Sequence, residues 1–91
     1  MRDLAEDEKK FIKIIFNREN PKAPISKSQL EYCAEIGGFS GKQILDISTE
    51  LERRGLIKMK QDPKGPAQRR TGGIMQILFT QSGVDCALTL M

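Results

Sequence analysis

Apolar side chains recur along this chain first with a helical period and later with a strand period. Phe11, Ile12, Ile15 and Phe16 fall on one helix face, with Leu4 and Ile14 at its margins, and predict a helix over residues 3–19. Acidic Asp3, Glu6, Asp7 and Glu8 precede basic Lys9, Lys10, Lys13 and Arg18, the order that a helix dipole favours. The acidic group reads as a solvated first turn. Asn20-Pro21-Lys22-Ala23-Pro24 then stops the helix, because proline lacks an amide hydrogen and restricts the residue before it.

Two consecutive helix starts follow. Ser26 and Gln29 are spaced as a capping box, with Ile25 and Leu30 as a hydrophobic staple around it. The predicted helix, 26–36, buries Leu30, Cys33 and Ala34, and Tyr32 and Ile36 share a face that is expected to pack. Ser40 and Gln43 form a second box with Phe39 and Ile44 as its staple. That helix, 40–54, turns Ile44, Ile47 and Leu51 inward and Leu45 outward, and ends at Gly55. Two capped helices separated by Gly37 to Phe39 make a helix-turn-helix.

After Gly55 the period becomes two. Ile57 and Met59 alternate with Lys58 and Lys60 in a strand over 56–60, and Met75, Ile77 and Phe79 share a face of a second strand over 74–79. The segment 61–73 between them, with two prolines and three glycines, is a long hairpin tip. Thr80 can cap a last helix over 80–88, with Val84, Ala87 and Leu88 buried, and Ala23-Pro24-Ile25 can add a short edge strand. The reading is one α+β domain over 1–91, mainly α with a small β-hairpin.

Charge changes the picture more than composition does. Residues 1–52 hold 8 basic and 10 acidic side chains, whereas residues 53–91 hold 7 basic and 2 acidic. All seven lie between Arg53 and Arg70, a concentration suited to phosphate. There is no His, so the usual base near neutral pH is missing, and an enzyme is not expected. Cys33 and Cys86 fit no metal or redox spacing and read as reduced, buried small hydrophobes; no metal and no cofactor is expected. Gly37-Gly38-Phe39-Ser40-Gly41-Lys42-Gln43 fails as a phosphate-binding loop: Ile36 stands at the first glycine position and Gln43 replaces Ser or Thr. No apolar run is long enough for a membrane span, and the acidic start lacks a signal-peptide stretch, so a cytoplasmic location is expected.

Leu51-Glu52-Arg53-Arg54-Gly55-Leu56-Ile57 and Phe79-Thr80-Gln81-Ser82-Gly83 resemble segments of the winged-helix superfamily, as in multiple-antibiotic-resistance-type and phenolic-acid-type transcriptional regulators. In those families the first segment closes the recognition helix and opens the wing, and the second closes the wing. The resemblance covers roughly residues 8–88 and implies a winged helix-turn-helix, ordered helix-helix-helix-strand-wing-strand-helix. It implies double-stranded DNA as partner, with helix 40–54 in the major groove and the 61–73 wing against backbone or minor groove. Carried over by position, the groove-facing residues are Ser40, Gly41, Lys42, Gln43 and Asp46, with Lys27 and Ser28 near phosphate. Lys64, Arg69 and Arg70 are the expected wing contacts to phosphate, the alternative being that they only keep the loop soluble. Lysine suits guanine acceptors and glutamine suits adenine.

The sequence departs from that pattern in the acidity of helix 40–54, which carries Asp46, Glu50 and Glu52. The alternative expectation is an adaptor that docks a protein around Leu45, Asp46 and Glu50 without DNA. On the DNA reading, one domain offers few base contacts, so a homodimer is expected, through helix one and the tail Leu88-Thr89-Leu90-Met91.

Overall fold

A computed structural model describes residues 4–61 and 71–90. They form four helices and a three-stranded antiparallel sheet, a small α+β arrangement. In chain order these are α1 (Glu6–Ile15), β1 (Ile25–Ser26), α2 (Lys27–Gly37), α3 (Gly41–Arg53), β2 (Ile57–Gln61), β3 (Ile74–Phe79) and α4 (Gln81–Leu90). The strand order is β1-β3-β2, so β3 is central.

Helix α1 packs against α2, α3 and α4, with Phe11, Ile12 and Ile15 in the core. It is shorter than the predicted 3–19 at both ends. At its start the buried Glu8 accepts a hydrogen bond from the Ala5 amide at 2.8 Å. Glu8 therefore belongs to the cap, not to a solvated acidic turn. At its end Phe16 is extended and buried, edge-on to Phe79 at 5.3 Å. The Asn17 side chain then accepts from the Glu19 amide at 2.9 Å, and this local turn competes with further helix.

Both predicted capping boxes are present. Gln29 Oε1 accepts from the Ser26 amide at 2.8 Å while Ser26 Oγ accepts from the Gln29 amide at 3.3 Å. At α3 the equivalent distances are 2.8 and 3.1 Å, between Gln43 and Ser40. The turn joining the two helices is held from α1: Lys10 Nζ donates to the Gly37 carbonyl at 2.8 Å and sits over the Phe39 ring. Leu30, Cys33 and Ala34 are buried as expected, but Tyr32 (62% exposed) and Ile36 (52%) are not packed. They lie on the solvent side of α2, opposite the face that meets α1.

Helix α3 ends in a Schellman turn. Gly55 adopts φ +78°, its amide donates to the Glu52 carbonyl at 2.9 Å, and the Leu56 amide donates to Leu51 at 3.0 Å. The two family-like segments then meet. Thr80 Oγ1 donates toward the Gly55 and Leu56 carbonyls at 2.7 and 3.0 Å and accepts from the Gly83 amide at 3.0 Å. Gly83 is packed so closely on Leu56 that an added Cβ would lie 1.8 Å from the carbonyl oxygen.

In the sheet, Ile57 pairs with Phe79, Met59 with Ile77 and Lys60 with Gln76, but Gln61 pairs with Ile74. The irregularity skips Met75. Ile74, Ile77 and Phe79 are therefore the core residues of β3, and Met75, expected to share their face, is exposed. Leu88 is likewise exposed on α4, where Cys86 takes the buried place with Gly83, Val84 and Ala87. The expected strand at 23–25 appears as Ile25–Ser26, two residues long, with Ile25 paired to Ile77. No described helix is long and apolar enough to cross a membrane.

Candidate nucleic-acid interface

Of the residues expected to meet DNA, Ser28, Ser40, Lys42 and Gln43 are exposed at the starts of α2 and α3, and Lys27 is half-buried. Lys64, Arg69 and Arg70 lie outside the described residues. The helix starts present backbone amides with no intrahelical acceptor, which suits an anion. In its capping box Gln43 Oε1 accepts from the Ser40 amide at 2.8 Å. That bond uses one of the two lone pairs of the oxygen and neither Nε2 hydrogen, so Gln43 keeps both donor and acceptor capacity.

The acidity of α3 is largely absorbed within the fold. Glu50 accepts from Arg53 at 3.0 and 2.6 Å and from Arg54 at 2.8 Å. These two guanidinium groups hold its carboxyl down at about 2, against an ordinary 4.5, and Glu50 in turn raises Arg53. Glu52 Oε2 accepts from the Met59 amide at 3.0 Å, terminating a donor on β2, an edge strand of the sheet. Asp46 is different. It is exposed and has no ion-pair or hydrogen-bond partner among the described residues.

The same contacts revise the basic segment. Arg53 and Arg54 both pair with Glu50, so one of their two positive charges is already balanced within the fold. Lys58 and Lys60 stand exposed on the outer face of β2, opposite Leu78 and Gln76 of β3.

The hairpin base is seated on the front of α3. Gly72, at φ +63°, approaches so closely that an added Cβ would lie 2.5 Å from the Gly41 carbonyl oxygen and 2.6 Å from Leu45 Cβ. Leu45 is consequently half-buried beneath Gly72 and does not form an outer apolar face. Thr71, next to Gly72, is fully buried, and its hydroxyl, like that of Ser48 on α3, has no hydrogen-bond partner among the described residues. Sequence reasoning missed this contact; the Thr71-Gly72-Gly73 run was its one local signal, since paired glycines permit both a left-handed turn and close approach.

Elsewhere, Ser82, Asp85, Cys86 and Thr89 line an open groove along α4. Burial raises the Cys86 thiol and pushes Cys33 up to about 12, so neither is a ready nucleophile. Among the described residues no three of His, Cys, Asp and Glu gather as a metal site would require. Compared with protein-family models, curated proteins and solved structures, the chain matches none.

Proposed function

We propose that this chain is a winged helix-turn-helix protein that binds double-stranded DNA and acts in transcriptional regulation. The observation that carries the reading is the seating of Gly72 on Gly41 and Leu45, which sets the hairpin base beside the donor-bearing front of α3. In this reading Lys42 and Gln43 meet base edges. The Lys27, Ser28 and Ser40 region, with the exposed Lys58 and Lys60, meets phosphate. Arg69 and Arg70, which directly precede Thr71 in the chain, and Lys64 add wing contacts. The internal pairing of Glu50 and Glu52 supports the reading, because those carboxylates are neutralised or placed before any phosphate arrives. A symmetric dimer over a two-part site would add specificity. Its surface is the outer side of α4, where Leu88 is exposed, because the main apolar residues of α1 lie in the core.

Titration of random duplex DNA in a mobility-shift assay at two salt concentrations tests this. The expected result is salt-sensitive micromolar binding, with the log-log salt slope lowered by up to about two units in Arg69→Ala/Arg70→Ala. An unchanged slope removes those arginines from the interface. No binding at low salt removes DNA altogether and favours a second reading, an adaptor. The exposed apolar pair Tyr32 and Ile36 supports that alternative better than Leu45 or Glu50, which are engaged within the fold.

A further inference from the structure

We infer that Asp46 is a specificity-determining residue of the α3 face and that it reads a cytosine; the inference rests on the DNA-binding reading above. Three acids on one recognition helix look alike in sequence, but the structure separates them. Glu50 is held by Arg53 and Arg54, and Glu52 by the Met59 amide. Asp46 is the remaining carboxylate of α3, exposed and without a partner among the described residues.

It stands one turn beyond Lys42 on the same helix face, since residues four apart are surface neighbours. The side-chain donors at that front are Lys42 Nζ and Gln43 Nε2, both on exposed residues. Asp46 adds a carboxylate acceptor next to them. In the major groove a carboxylate needs a donor without an adjacent acceptor. Adenine N6 lies beside N7, whose lone pair repels a carboxylate, whereas cytosine N4 presents a donor alone. Guanine O6 and N7 are acceptors, and these suit Lys42. The α3 front therefore fits a G·C-bearing element, with Lys42 toward guanine and Asp46 toward cytosine. Near phosphates a carboxylate also opposes binding to every sequence. Asp46 thus lowers non-specific affinity while favouring one base, and the two effects have opposite signs on substitution.

The test is selection of bound sequences from a random duplex pool, run in parallel with the full wild-type chain, Asp46→Asn and Asp46→Ala. Asp46 is exposed and has no partner among the described residues, so both variants should keep the wild-type circular dichroism. The wild type should enrich cytosine at one position. Asp46→Asn should move that preference toward adenine, which asparagine matches with donor and acceptor together. Asp46→Ala should reduce it by about tenfold while tightening binding to unselected duplex at low salt. If the wild type holds duplex but all three proteins enrich the same base there, Asp46 is not a reader, and the DNA-binding reading stands without it. If the wild type holds no duplex at low salt, both fall.

Discussion

Replacing Gly83 by Ala sets two physical effects against each other, and the structure says which should win. Gly83 is the third residue of α4, and helix propensity alone would make Ala more stable there by about 1 kcal/mol. Its Cβ, however, would lie 1.8 Å from the Leu56 carbonyl oxygen and 3.0 Å from Phe79 Cδ1. Carbon–oxygen contacts settle at roughly 3.3–3.6 Å, so α4 and the Gly55–Leu56 turn must part by about 1.5 Å. That carbonyl also accepts from the Thr80 amide and hydroxyl, both at 3.0 Å. Losing those two bonds costs about 2 kcal/mol. Strain and loosened packing under Val84 and Ala87 add about 2 kcal/mol. Against the propensity gain, the net loss is about 3 kcal/mol, a large part of the ~5–14 kcal/mol expected for a chain of this length.

Thermal and urea denaturation followed by circular dichroism should show Tm lowered by about 12–24 °C, with an unchanged urea m-value. Gly55→Ala is the comparison. Gly55 has φ +78° and open space around an added Cβ, so only the left-handed backbone resists, costing about 1–2 kcal/mol. A Gly83→Ala protein as stable as the wild type, or less affected than Gly55→Ala, would refute the close packing of α4 on the turn.

Gly72→Ala should be destabilising by about 2–3 kcal/mol and should weaken duplex binding, because its Cβ would push the hairpin base off Gly41 and Leu45. Gly73→Ala, at φ +89° in open space, should cost less; equal effects from both would deny the seating of Gly72. Glu50 has a folded pKa of about 2, below its ordinary 4.5, so its contribution is present above 4.5 and fades as pH falls toward 2. Glu50→Gln should lack that contribution, and the gap in urea midpoint between wild type and variant should narrow across the same window; a constant gap would contradict the pairing. With Cys33 pushed up to about 12 and Cys86 raised by burial, native protein should react slowly with a thiol reagent near pH 8 and yield two thiols in denaturant. Immediate stoichiometric reaction of Cys33 would place it outside the core.

Sequence alone determined the features that are settled within a few residues of chain. The two capping boxes, the Gly55 turn after α3 and the inward residues Ile44, Ile47 and Leu51 depend on local spacing, and all were legible before any fold was known. Only the tertiary structure decided what depends on partners distant along the chain. Met75 faces solvent because the β2–β3 register skips it, and Tyr32 and Ile36 are exposed because α1 covers the other side of α2. Leu45 turns inward because Gly72 arrives from 27 residues further on. The candidate site divides the same way. Lys42 and Gln43 could be placed at a helix start from spacing, but the difference between Asp46 and its acidic neighbours could not. A side chain's type is written in the sequence, whereas whether its charge meets an arginine, a strand amide or solvent depends on which surfaces folding brings together.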